Sequence, residues 1–111
     1  MALLDHHRPF RLTSTPALGA VVLGLDGELD AETANEVRQR LGDLILDGTL
    51  SIVVDLQHLT FIDSTGLGLL VGALRRLQER GGQLVLSAPS PPVLRAIEVS
   101  GLADVFTVTR S

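Results

Sequence analysis

Apolar residues follow two different spacings along this chain, and the spacings divide it into strands and helices. Short apolar runs bounded by turn residues predict five strands, at 10–15, 20–25, 50–56, 83–87 and 104–108. Apolar residues that recur every three or four positions predict three helices, from about 30 to 47, 64 to 80 and 93 to 100. Gly48, Gly81 and Gly101 follow these helices and are common stop signals.

The predicted order of elements is β-β-α-β-α-β-α-β, which indicates the α/β class. Strands that alternate with helices predict a mostly parallel open sheet of about five strands, with the helices packed on it. The first strand is expected to pair back on the second as an antiparallel hairpin. The continuous apolar run at 50–56 is typical of a strand buried on both faces. A length of 111 residues fits one domain, which we place at 10–111 after a loose tail at 1–9.

Composition excludes several classes of function. The formal net charge of −4 and an aromatic content of 3% argue against a nucleic-acid surface, which needs a basic patch and stacking side chains. The chain has no cysteine, and its three histidines, at 6, 7 and 58, lack metal-site spacing, so we expect neither a metal nor a cofactor. The longest apolar run, near 67–74, is far shorter than the ~20 residues of a membrane helix. We therefore expect a cytoplasmic protein.

The candidate chemistry lies at the start of the second predicted helix, where Asp63, Ser64 and Thr65 follow an apolar stretch. The first turn of a helix exposes unpaired N–H groups and the positive end of the helix dipole. Ser64 is either a helix cap, a role that Asp63 can also fill, or a modification site. Phosphorylation of Ser64 would add about −1.5 to −2 charges, and the helix N-terminus would favour that charge.

Three neighbouring residues also admit two interpretations each. Gly66 and Gly68 keep the first turns of the helix slim, which favours close approach either by a partner or by the sheet. Asp30 ends the second predicted strand and either caps the first helix or belongs to the site. Carboxyl ends of parallel strands meet at one edge, so Asp30 and Ser64 are expected there together.

The same segment lacks the marks of a catalytic site. It has neither the lysine nor the glycine count of a Walker A loop. Ser64 is not preceded by the Gly-x of a nucleophile elbow. We therefore predict a binding module that is not an enzyme; a small flavodoxin-like or hydrolase-type enzyme is the weaker alternative.

Five short motifs together resemble the STAS domain family, and most closely the bacterial anti-anti-sigma factors, also called anti-sigma factor antagonists. They are Gly-Glu-Leu-Asp at 27–30, Val-Val-Asp-Leu at 53–56, Phe-Ile-Asp-Ser-Thr-Gly-Leu-Gly at 61–68, Gly-Gly at 81–82 and Ser-Gly-Leu at 100–102. The likeness runs from about residue 20 to residue 108. It implies a single STAS-like domain.

The resemblance implies a partner and a switch. The unphosphorylated domain would bind an anti-sigma factor that is also a serine kinase, and so free a sigma factor. The kinase would use ATP to phosphorylate Ser64, with Thr65 as a possible neighbouring acceptor, and a serine phosphatase would reset the switch. The partner surface predicted on this basis comprises Asp30, Asp63, Ser64, Thr65, Gly66 and Leu67.

One departure from the family concerns the C-terminus. Family members usually carry a further helix after the last strand, whereas this sequence stops at 109–111. We expect either a domain without that helix or a fragment. Loss of the helix would leave an aliphatic patch of the sheet exposed, which favours dimers, so we expect a monomer or a weak dimer. The alternative function within the family is a regulatory or scaffold subunit that binds a transporter or a signalling complex without sigma-factor control.

Overall fold

The computed structural model describes residues 9–110, so the predicted tail, apart from Pro9, lies outside the described residues, as do His6 and His7. The strands are β1 (Arg11–Ala17), β2 (Ala20–Leu29), β3 (Ser51–Ile62), β4 (Gln83–Ser87) and β5 (Thr107–Thr109). The helices are α1 (Ala34–Leu46), α2 (Ser64–Glu79) and α3 (Pro91–Val99). The predicted order of elements is confirmed.

All five strands form one sheet in the order β1-β2-β3-β4-β5. β1 pairs with β2 in antiparallel fashion, while β2, β3, β4 and β5 are mutually parallel. Each of the three helical connections joins a parallel strand to its immediate neighbour, and all three advance across the sheet in the same direction. Because such crossovers are right-handed, this order places α1, α2 and α3 on one face of the sheet.

The burial of the central strands agrees with a sheet that is covered on one side. Ile52, Val54 and Leu56 of β3 are fully buried, whereas Val53 and Asp55 between them are half-buried. The prediction of a strand buried on both faces was therefore wrong, because the helices cover one face only. The described core is aliphatic apart from Phe106.

Both strands that lead to the site are longer than predicted. β2 continues through Gly27 to Leu29, and β3 continues past Leu56 to Ile62. The register between them shifts twice, and at each shift β3 has one more residue than β2. These shifts are β-bulges, which twist the strand locally. Buried residues of β3 are therefore three apart in this part of the strand, and Leu56, Leu59 and Ile62 all face the core.

Side chains satisfy the backbone near both bulges. Asp55 Oδ1 accepts a hydrogen bond from the Gln57 N–H at 3.0 Å. Thr60 Oγ1 donates to the Gly27 carbonyl, also at 3.0 Å. Asp55 is thus part of the strand architecture. Within residues 9–110, no helix has both the length and the apolar character needed to cross a membrane.

Candidate functional site

The site is built where β2 and β3 leave the sheet side by side. Leu29 and Ile62 are the last paired positions of the two strands. One residue further on, the Asp63 N–H donates to the Leu29 carbonyl at 3.2 Å. Asp30 and Ser64 therefore begin their connections at the same edge of the sheet, as expected from the parallel order.

Asp63, and not Ser64, caps α2. Its Oδ1 accepts a hydrogen bond from the Gly66 N–H at 3.0 Å, and its carbonyl accepts from the Leu67 N–H at 2.9 Å. Asp63 has the extended backbone of an N-cap, with φ −108° and ψ −173°. The sequence left Asp63 and Ser64 as candidates for the N-cap, and the structure shows that the Asp63 carboxylate is the cap.

Ser64 is the first helical residue of α2, and its side chain is exposed. Its hydroxyl makes no hydrogen bond with any residue in the described range. Thr65 beside it is exposed as well. Two hydroxyls on the first turn are therefore open to a reagent or a partner, and neither one caps the helix.

Asp30 organises the turn that precedes α1. Its Oδ1 accepts from the backbone N–H groups of Glu32 at 2.9 Å and Thr33 at 3.2 Å. The helix itself begins at Ala34, with Thr33 in the N-cap position and no side-chain cap. The prediction of Asp30 as the cap of α1 was therefore wrong by one turn, because its carboxylate caps the non-helical turn at 31–33 instead.

Gly66 and Leu67, which the predicted partner surface included, face inward. Leu67 is only 7% exposed, and Gly66 is buried. A methyl group on Gly66 would lie 2.8 Å from Leu29 Cγ and from Ile62 Cγ1. Gly66 therefore permits α2 to pack on β2 and β3, and both residues lie beneath the exposed hydroxyls of the first turn.

Phe61 is a surface residue that the sequence analysis did not single out. Its side chain is 47% exposed, and it pairs in register with Glu28, which is also exposed. The second bulge in β3 is what places Phe61 on the outside. The only signal in the sequence was the three-residue spacing of Leu56, Leu59 and Ile62, which departs from strand alternation.

Acidic residues are concentrated at the sheet edge that carries the exposed hydroxyls. Asp63 is adjacent to Ser64 in the chain, and Asp30 and Glu32 belong to the neighbouring turn. Glu28 lies one register position before the end of β2, beside Phe61. A partner for this edge of the sheet needs cationic groups to match the carboxylates and an apolar contact for Phe61.

A groove of about 480 Å³ runs between α1 and α2 and begins at the hydroxyls. Leu41, Leu69 and Ala73 supply apolar walls, and two cations, Arg38 and Arg76, line it as well. On α2 the groove follows a stripe of residues four apart: Ser64, Gly68, Gly72 and Arg76.

The glycines of this stripe differ from Gly66. A methyl group on Gly68 or on Gly72 would meet no atom within 4 Å. They are not needed for packing of the described residues, and their effect is to leave the groove open. Of the two interpretations offered for the glycine pair, packing on the sheet holds for Gly66 but not for Gly68, where approach by a partner stays a prediction.

Comparison with known proteins identifies relatives along nearly the whole chain. The STAS domain profile matches residues 12–111. The chain is 31% identical over 106 residues to the anti-sigma F factor antagonist of Paenibacillus polymyxa, covering 95% of this chain and 82% of that protein.

Two solved structures of SpoIIAA are similar to this fold. For the anti-sigma factor antagonist in its unphosphorylated form, the TM-score is 0.76 at 32% identity, with 90% of this chain and 87% of that chain covered. For the Bacillus cell fate determinant in the phosphorylated form, the TM-score is 0.70 at 31% identity, with 90% of both chains covered. The relative is thus known with and without a phosphate.

Proposed function

We propose that this chain, which belongs to the STAS domain family, acts as an anti-sigma factor antagonist whose binding is switched by phosphorylation of Ser64. One observation carries the proposal: the Ser64 hydroxyl is exposed and makes no hydrogen bond with the described residues, while Asp63 caps the helix beside it. A phosphate can therefore be added without breaking a bond that holds the fold. The names of the similar proteins supply the class of partner.

The covalent step takes place on this chain but is catalysed by the partner. An anti-sigma factor with serine kinase activity transfers the γ-phosphoryl group of ATP to Ser64 Oγ. The Oγ–P bond forms, the bond between the γ-phosphorus and the bridging oxygen breaks, and ADP and the hydroxyl proton leave. A serine phosphatase later hydrolyses the ester. The chain is a substrate and a ligand in this cycle, which we place in the cytoplasm.

The partner surface that we propose consists of Ser64, Thr65, Asp30 and Phe61. Phe61 offers an apolar contact, and the carboxylates favour a cationic partner. Phosphorylation adds about −1.5 to −2 charges beside Asp63 and Asp30. A partner fitted to the bare hydroxyl then meets a bulky dianion that must be desolvated, so affinity falls.

Binding measurements on matched variants test the switch. Ser64→Ala should bind the cognate anti-sigma factor as the wild type does, and Ser64→Asp should bind roughly tenfold more weakly or worse. Thr15→Asp is the control, because it adds the same charge at an exposed position of β1 that lies away from the site edge. Equal affinity of all three variants would rule out the switch.

Incubation with ATP and the anti-sigma kinase, followed by mass spectrometry, tests the acceptor. We expect one phosphoryl group on the peptide that carries Ser64, retained in Thr65→Val and lost in Ser64→Ala. Modification that survives in Ser64→Ala but not in Thr65→Val would move the site to Thr65. Binding to a transporter subunit in place of an anti-sigma factor would support the alternative function within the family.

A further inference from the structure

Two arginines line the groove that begins at Ser64, and they have no partners of their own among residues 9–110. Arg38 on α1 is exposed and makes no hydrogen bond or ion pair with the described residues, and the same is true of Arg76 on α2. Two other arginines near these helices are engaged. Arg40 donates to Ser14 Oγ, and Arg80 donates to the Ile45 carbonyl.

The packing of the helices shows which arginine is level with Ser64. α1 and α2 each connect neighbouring parallel strands, so they run in the same direction, and both begin at the site edge. A methyl group on Gly42 of α1 would lie 3.8 Å from Arg76 Nη1. Helical side chains lean toward the N-terminus by about one turn, so residue 42 is level with about residue 72 of α2.

The same alignment, moved back by four residues or about 6 Å along each helix, places Arg38 level with Gly68. Helical side chains lean toward the N-terminus, so the Arg38 side chain is directed toward the Ser64 end of the groove that both residues line. Gly68 has no side chain to stand between them. The shared groove therefore leaves room for the Arg38 guanidinium to reach a group on Ser64 Oγ.

The first turn of α2 has two of its four unpaired N–H groups, those of Ser64 and Thr65, left as donors for a phosphate. Of the four N–H groups that a helix start leaves unpaired, the Asp63 N–H is bonded to Leu29 and the Gly66 N–H to Asp63 Oδ1. Asp63 itself, together with Asp30 and Glu32 from the β2–α1 turn, places negative charge beside Ser64. On the α1 side of the groove, Arg38 offers positive charge to offset these carboxylates.

We propose that Arg38 is the intramolecular counter-ion of the phosphate on Ser64. The guanidinium presents a fork of donors that matches phosphate oxygens, and it lies in the groove that starts at the acceptor. This inference rests on the proposed function, since it assumes that Ser64 is phosphorylated. It adds a positioning residue on another helix, which holds the phosphate over the groove and stabilises its dianionic form.

Titration of the phosphate by ³¹P NMR tests the pairing without any kinase. Phosphoserine is incorporated at position 64 during translation, and its second pKa, ordinarily about 6, is measured at about 0.15 M salt. The acids around Ser64 raise this pKa, whereas a nearby guanidinium lowers it. We expect Arg38→Gln to raise it by about 0.5 unit and Arg38→Lys to raise it less.

Two control variants remove the same charge elsewhere. The first is Arg75→Gln, since Arg75 lies about 16 Å along α2 from Ser64 and outside the groove. The second is Arg76→Gln, since Arg76 lies at the far end of the groove. Both should leave the phosphate pKa nearly unchanged. If Arg38→Gln shifts the pKa no more than Arg75→Gln does, the pairing is refuted. If Arg76→Gln gives the larger shift, the assignment to Arg38 is refuted.

A second measurement does not depend on the variants. The side-chain Nε–H signal of Arg38 in the wild-type sequence should move when serine at 64 is replaced by phosphoserine, while that of Arg75 should not. An unmoved Arg38 signal overturns the inference. The proposed function fails separately, if the anti-sigma factor binds the serine and phosphoserine forms equally while the ³¹P result stands.

Discussion

Two glycines on the same helix should respond differently to one added methyl group. Gly66→Ala places a Cβ 2.8 Å from Leu29 Cγ, a branch point, and from Ile62 Cγ1, an inner methylene, and these two side chains are 0% and 5% exposed. They cannot swing aside as a flexible chain end would, so the core is overpacked by about 1–3 kcal/mol. Gly68→Ala places its Cβ in open space.

Comparison of the two alanine variants isolates the effect of side-chain packing, because the gain in helix propensity is the same in both. Replacing glycine by alanine inside a helix gains about 1 kcal/mol at either position. Gly68→Ala should therefore be more stable than the wild type by about 1 kcal/mol. Gly66→Ala should be less stable than Gly68→Ala by about 1–3 kcal/mol, which corresponds to roughly 4–12 °C in Tm at about 4 °C per kcal/mol.

Urea denaturation followed by far-UV circular dichroism measures both variants, with thermal melts as a second readout. The m-value should stay constant, so that the change in midpoint reports stability. Equal stability of the two alanine variants, or a more stable Gly66→Ala, would show that α2 does not pack on β2 and β3 as described. The account of Gly66 as a packing residue would then be abandoned.

Further predictions concern the cap, the acceptor and a second close approach. Asp63→Ala should cost about 1 kcal/mol in the free energy of unfolding because the Gly66 N–H loses its partner, whereas Asp63→Asn, which also caps well, should cost little. Ser64→Ala should change stability by less than about 0.5 kcal/mol; a loss as large as that of Asp63→Ala would mean that the hydroxyl is structural. Gly82→Ala should destabilise the domain more than Gly66→Ala in the same urea assay, because its Cβ would lie 2.3 Å from the Leu50 carbonyl oxygen, and backbone yields less than side chains.

The sequence was sufficient for the order of elements and for the edge at which Asp30 and Ser64 meet. Both depend on the local spacing of apolar residues and on the geometry of parallel crossovers, which follow directly from the order of residues along the chain. The extent of β3 could not be predicted in the same way. Its two bulges replace alternation by a three-residue spacing at Leu56, Leu59 and Ile62, and that spacing resembles no regular strand.

The groove could not be predicted either, because it belongs to two helices at once. Arg38 lies on α1, and Ser64 lies on α2. Which residues of the two helices face each other is decided by how the helices pack on the sheet. The four-residue spacing of Ser64, Gly68, Gly72 and Arg76 was visible in the sequence, but nothing there showed that this stripe faces another helix rather than solvent.

Different residues of one helical turn stabilise the fold and carry the modification, which explains why a charge at Ser64 can control binding while the fold persists. Asp63 caps the helix, and Gly66 and Leu67 pack against the core. Ser64, the residue that is phosphorylated, does neither. Repulsion between a phosphate and nearby exposed acids costs on the order of 1 kcal/mol, against about 5–15 kcal/mol for a folded domain. At a partner interface the same phosphate must be desolvated, and a loss of 1.4 kcal/mol already weakens binding tenfold. Phosphorylation at this position therefore acts far more strongly on association than on folding, and a counter-ion at Arg38 would widen that difference by stabilising the phosphorylated domain in its free state.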